Sequence, residues 1–193
     1  MPVPERKEKT PFIGAQILDG TTAAYDWTGR YYALRDLPKS LNPKKGYIVT
    51  ANNRQTSDHA KLDTGAAVNT LARSLRINEM ISEGINSGKK LTLADMGAIQ
   101  QDVVDVFARD LTPKIVDIIR GHKDELTSNQ LKELAPVLSI LEAWNGSFDE
   151  TSVAASIYMK WYIQFTRSLF IKYIDSEDDR LALVDNWEFP DAY

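Results

Sequence analysis

The spacing of apolar residues changes part-way along the chain. Up to about residue 64 they come in short runs broken by turn-forming residues. Tyr25-Asp26-Trp27-Thr28-Gly29 is an aromatic segment ending in a turn signal. Gly46-Tyr47-Ile48-Val49-Thr50-Ala51 is β-branched and aromatic, and it follows Asn42-Pro43, which predicts a turn leading into a strand. From about residue 65 the spacing becomes helical. Val68, Leu71, Ala72, Leu75 and Ile81 recur on one face and predict a helix over 65–85, loosened and stopped by Gly84 and Gly88. Thr92 and Asp95 have the spacing of a capping box, ahead of an apolar stripe of Met96, Ile99, Val103, Val106 and Phe107. Thr112-Pro113 predicts a fresh helix with the proline at its first position, where the missing N–H is not needed. Gly121 is expected to cap its C-terminus.

Thr127 and Gln130 form a second capping pair, after which Leu131, Leu134, Leu138 and Leu141 line one face up to Trp144. Asn145-Gly146 signals a turn, and a long last helix is expected from Thr151-Ser152 to Tyr173. That helix presents Tyr158, Trp161, Tyr162, Phe165, Phe170 and Tyr173. This is more aromatic surface than one exposed face can use, so it is expected to pack on something, inside or outside this chain. The fold class is therefore α+β and mainly α. A β/turn segment over 1–64 leads into about five helices over 65–193, the two parts together forming a partial single domain.

Composition narrows the function classes. Hydrophobic residues at 43% and charged residues at 26% are those of a globular chain and argue against disorder. A net charge of −4 gives no electrostatic reason to bind nucleic acid. With no cysteine, disulfides, thiolate catalysis and cysteine-based zinc sites are excluded. The stretch from Met1 to Lys9 is charged and proline-containing with no apolar core behind it, so no signal peptide is expected. The longest apolar candidate, Ile157 to Ile174, is interrupted by Lys160, Gln164, Arg167 and Lys172, short of the ~20 apolar residues that span a bilayer. A soluble chain is expected, with its compartment left open.

Few residues suggest chemistry by themselves. His59 follows Ser57 and Asp58, but three neighbours in sequence seldom make a spatial triad, and polar residues facing solvent are the favoured reading. His122 follows the helix-ending glycine, where a cation suits the helix terminus. Asp175-Ser176-Glu177-Asp178-Asp179 lacks the spacing and glycine of a calcium loop and reads as a solvated helix end. Tyr31-Tyr32 is expected to fill core. The informative stretch runs from Asn42-Pro43 through Gly46-Tyr47-Ile48 to Asn52-Asn53-Arg54. A side-chain amide fixed at a strand end can act as a preorganised oxyanion donor. An Asx-type turn is the competing reading, and on physical grounds alone the favoured one.

That stretch resembles the penicillin acylase family, which includes cephalosporin and acyl-homoserine lactone acylases. The family pattern is Asn-Pro, a few residues, Gly-Tyr-Ile, then two asparagines. Asp26-Trp27, Gly29 and Leu37-Pro38 precede it in the matching order. Downstream, Arg76-Ile77 with Glu79 and Ile81 is similar to the family's Arg-Ile segment. Leu91-Thr92, Gln100, Asp102, Leu141, Trp144, Gly146 and Ser152 fit the helical part. The resemblance implies an N-terminal nucleophile hydrolase with a four-layer αββα fold. The precursor cuts itself, and a new N-terminal serine attacks a linear amide with its own α-amino group as base. Asn52 is then the oxyanion donor and Arg76 the arginine that organises the site, with Asn53 and Arg54 in support.

The resemblance also implies calcium in many members. Asp58 and Asp63 are the candidates here, and neither is chosen. Gln55 to Gly65 lacks the tyrosine-proline pair often found there. Residue 1 is methionine and the first serine is Ser40, so no serine stands at a free N-terminus. The expectation is an internal piece of the large chain, inactive by itself. Its partners would be a small-molecule amide and the remainder of the hydrolase. Family members are often periplasmic or extracellular. Two other readings stay open: a non-catalytic helical interaction module, suggested by the last helix, and a degenerate relic of such an enzyme.

Overall fold

A computed structural model describes residues 3–7, 17–55 and 71–173. The chain divides into two compact units, Met1–Ser74 and Leu75–Tyr193. The expected boundary near residue 64 lies outside the described residues.

In the first unit, β1 (Pro4–Arg6) pairs antiparallel with β2 (Trp27–Tyr31). Pro4 faces Tyr31 and Arg6 faces Trp27, so β2 uses more residues than β1 between the two pairs and bulges. The Arg6 guanidinium lies 3.7 Å from the Trp27 ring centroid and donates to the Tyr25 carbonyl at 2.7 Å. Tyr31 is 59% exposed, so it does not fill core as expected: its strand belongs to a two-stranded sheet, which is too small to bury both of its faces. A short 3-10 turn follows at Leu34–Asp36.

Pro43 to Gly46 closes a turn, with the Gly46 N–H donating to the Pro43 carbonyl at 2.8 Å. The expected strand over Gly46–Ala51 does not form as a ladder. The backbone there has no strand assignment, and no described residue pairs with it. β-branched residues favour an extended backbone, but a strand needs a neighbour to take its N–H and C=O groups.

The second unit is helical. With the start of the first helix, the elements are α1 (Ala72–Asn86), α2 (Leu93–Gln100), α3 (Val106–Gly121), α4 (Ser128–Glu142) and α5 (Val153–Tyr173). The mainly α class, with five α-helices among the described residues, is as expected. The unit boundary falls inside the first turn of α1. The expected start of α1 at residue 65 lies outside the described residues. α1 stops as predicted at Gly88, at φ +73, where the Lys89 N–H reaches the Gly84 carbonyl and the Gly88 N–H the Ile85 carbonyl. Both predicted capping boxes are present, Thr92 with Asp95 on α2 and Thr127 with Gln130 on α4.

Between α2 and α3 the structure departs from the pattern. The stripe from Met96 to Phe107 is not one helix. α2 ends at Gln100, and Asp105 caps a new helix by accepting from the Phe107 and Ala108 N–H groups at 2.7 and 3.1 Å. The connection is held by a distant loop. Phe148 N–H donates to the Val103 carbonyl at 2.9 Å and Asp105 N–H to the Gly146 carbonyl at 3.0 Å. Gly146 sits at φ +82, and a Cβ there would lie 2.7 Å from Arg109 Cβ and 2.8 Å from the Asp105 carbonyl oxygen. Only glycine meets both the backbone angle and the space.

Because α3 starts at Val106, Pro113 falls inside it and not at its first position. An interior proline removes one helical bond, a cost of about 3 kcal/mol that tertiary packing of the helix must offset. Gly121 is the last helical residue, and His122 occupies the cap, its N–H donating to the Ile118 and Ile119 carbonyls.

The core is Ala108, Ile115 and Val116 of α3 with Leu141 of α4 and Tyr158 of α5. Trp144 and Phe148 cover Tyr158 at ring separations of 5.3 and 6.1 Å, and Trp144 Nε1 donates to the Ser147 carbonyl. The aromatic face of α5 therefore finds part of its partner within this chain. Further along, Phe165 stacks on Trp161 and stays 45% exposed. No helix among the described residues is long and apolar enough to cross a membrane.

Candidate functional site

The backbone bends at Ala51–Asn53, directly after the extended run. Ala51 is buried, and Asn52 is exposed with φ +58. That left-handed conformation is costly for most L-residues and tolerated by asparagine. It turns the Asn52 side chain away from the direction that an extended chain would give it.

The two asparagines do different work. Asn53 Oδ1 accepts from the Ala51 N–H at 3.0 Å, and its Nδ2 donates to the Arg54 carbonyl at 3.3 Å. Gln55 Nε2 donates to the Asn53 carbonyl at 3.0 Å. Asn53 thus spends its amide on the local backbone and shapes the bend. Asn52 instead accepts at Oδ1 from Arg73 Nη2, at 3.0 Å, and the same nitrogen donates to the Ala51 carbonyl at 3.1 Å. Among the described residues, Asn52 Nδ2 donates to nothing. Arginine has no acceptor, so only the amide oxygen can face it, and the N–H pair must face the other way. The geometry leaves one oriented amide donor beside a guanidinium.

Arg73 was not singled out by sequence reasoning. Its partner lies 21 residues away, and Arg76 stands one turn later in a better-known pattern. Arg76 is committed elsewhere. Its Nε and Nη2 donate to both Asp102 oxygens at 2.8 Å, and its Nη1 donates to Glu79 Oε2 at 2.7 Å. Arg109 Nη1 meets both Glu79 oxygens at 3.0 Å and Arg109 Nε meets Asp110. Asp102 also accepts from the Val104 N–H at 3.1 Å. Arg76, Glu79 and Asp102, which entered separately as sequence matches, thus form one ion-pair network joining α1 to the α2–α3 connection and α3.

The charges in this network hold each other ionised. Hydrogen bonds from Arg76 place the Asp102 carboxyl below its ordinary range, and Arg109 and then Arg76 do the same for Glu79. Asp102 raises Arg76 further above its already high value. No proton is available to chemistry from such a network near neutral pH.

The remaining candidates among the described residues do not gather into a site. His122 is exposed at the end of α3, with Nδ1 donating to the Ile118 carbonyl at 2.8 Å. His59, Asp58, Asp63 and the acidic run at 175–179 lie outside the described residues. Arg54 is exposed on the loop after Asn53. Among the described residues no group of three or more histidines and carboxylates is placed to hold a metal ion. The donor set for calcium is therefore not met among them.

A family model described as penicillin amidase matches residues 2–190. No curated protein matches the chain.

Proposed function

The chain belongs to the penicillin amidase family, a family of hydrolases, and from that premise we propose that it supplies the oxyanion donor for cleavage of a linear amide. The observation that carries this reading is the Asn52 amide, its oxygen held by Arg73 and its N–H group without an acceptor among the described residues. When a nucleophile attacks an amide carbonyl, negative charge grows on the oxygen. A donor already fixed in place stabilises that charge without reorganising. The asparagine φ of +58 and the donor-only arginine supply such fixing at either end of the residue.

The attacking group in this reading is an N-terminal serine carried by a segment or polypeptide other than the described residues. Of the described serines, Ser147 donates to the Asp149 carboxylate within an exposed turn that also holds Thr151, and Ser74 is buried and donates to the Leu71 carbonyl. The small-molecule amide and the rest of the hydrolase are the partners that this reading requires. Arg76 is proposed to act on α1 itself, holding the helix through Asp102 and Glu79, and not as a group that meets substrate.

The test is isolation of the protein from its native source, with assay of chromogenic N-acyl anilides and intact mass of every polypeptide in the active fraction. Hydrolysis that co-purifies with the Asn52-bearing chain and with a serine-headed N-terminus is the expected result. A homogeneous preparation that hydrolyses no amide, with no serine-headed polypeptide bound, would leave the helical interaction module as the better reading.

A further inference from the structure

The core of the helical unit closes without α1 and α2. Among the described residues, the core side chains and the apolar ones packed against them all belong to α3, α4, α5 and the loop that carries Trp144 and Phe148. α1 buries only Ser74 and α2 buries no residue, while Leu75, Ile85 and Leu93 stay exposed. α1 and α2 nevertheless hold each other. Leu91, in the turn between them, packs so closely on Gly84 that a Cβ there would lie 2.5 Å from Leu91 Cδ2, and Lys89 pairs with Asp95.

We propose that α1 and α2 are a flap, hinged at Gln101 and latched by ion pairs, that opens as one piece while the α3–α5 core stays folded. This inference does not depend on the oxyanion reading of Asn52. The latch has two parts. Arg76 of α1 donates to both oxygens of Asp102, and Glu79 of α1 accepts from Arg109 of α3. Asp102 and Arg109 stand on the core side. Val103 and Asp105 are tied by backbone bonds to the loop at Gly146 and Phe148, and Arg109 lies close to Gly146. The hinge residue leaves helical geometry, with φ −100 and ψ 2. The four latch side chains keep 14–33% of their surface exposed. Water and salt screen such pairs and leave them a modest net contribution. Apolar burial, which holds α3 to α4 and α5, is not screened in that way. Elements with few buried apolar contacts open at lower free energy than a core does.

Native-state amide hydrogen exchange of the protein as isolated, resolved by peptide mass spectrometry, tests this. In the wild type the slowest amides of α1 and α2 are expected to exchange at least about 10-fold faster than those of α3 and α5. Two variants then separate flap from core. Ile115→Val weakens core packing mildly enough to keep the fold, and is expected to speed the slowest α3 and α5 amides about 5-fold. The opened flap keeps the core intact, so the same variant is expected to leave α1 and α2 at the wild-type rate. Glu79→Gln removes the charge that Arg109 and Arg76 hold, and is expected to speed α1 and α2 about 10-fold. Equal acceleration of α1 and α3 by Ile115→Val would show one cooperative unit and overturn the proposal. Wild-type exchange of α1 in Glu79→Gln would also overturn it, because the latch would then hold nothing.

Discussion

At Asn52 the backbone and the side chain make separate demands. The positive φ selects asparagine or glycine. The guanidinium selects an acceptor at Oδ1. Only a donor role selects the amide nitrogen. Asn52→Asp separates these demands. It keeps an acceptor for Arg73, gains an ion pair, and tolerates the same backbone region. It also replaces the N–H group with a second acidic oxygen facing the growing negative charge. Unchanged thermal stability with turnover reduced by at least about 10²-fold is the expected outcome. A fully active aspartate variant would show that the loop is shaped for its own sake, as the Asx-type reading held.

Among the elements, the α1–α2–α3 junction carries the clearest electrostatic signature. Asp102 is held ionised by Arg76, and Glu79 by Arg109 and then Arg76. The unfolded carboxylates take up protons near pH 4, while the folded ones resist until lower pH. The unfolded state therefore binds more protons in that interval, and stability rises with pH across it. The contribution is present in full above the ordinary carboxylate range and is lost as pH falls through the depressed values. Melting temperature measured from pH 7 down to pH 3 should drop steeply below the ordinary carboxylate range. Asp102→Asn should be about 1–3 kcal/mol less stable at neutral pH, because it leaves Arg76 short of a partner. Its acid slope should be shallower. An unaltered melting temperature at both ends would mean that these ion pairs add nothing.

The same junction shows what hydropathy spacing can and cannot reveal. Thr92 with Asp95 and Thr127 with Gln130 were legible because a capping box closes within four residues of sequence. Gly88 was legible for the same reason. The break between α2 and α3 was not. Val103, Val106 and Phe107 continue the stripe of Met96 and Ile99, and what ends α2 is backbone pairing with residues near Gly146, far along the chain. Pro113 was misplaced as a consequence, since a helix thought to start there in fact starts at Val106, after its cap Asp105. The run Gly46–Ala51 carried strand propensity without a strand to pair with among the described residues. Of the proposed site, the bend at Asn52 lies in the stretch that the motif marks. Arg73 was not legible, because nothing local marks it as the partner of a residue 21 positions away.

For the whole molecule, the family match over residues 2–190 makes the chain a member of a hydrolase family, and in its mainly helical part the carboxylates beside α1 are paired with arginines. The central claim is that the Asn52 amide works in catalysis. The most direct measurement is kcat and KM for N-acyl anilide hydrolysis by the active protein, isolated with whatever chains accompany it, as wild type, Asn52→Ala and Asn52→Gly. Alanine removes the amide but also resists φ +58. Glycine removes the amide and accepts that angle freely. A fall of about 10²–10³-fold in kcat in both variants, with KM little changed, is the predicted result. Full turnover in Asn52→Gly would contradict the account, because the loop would then matter for its shape and the amide N–H for nothing.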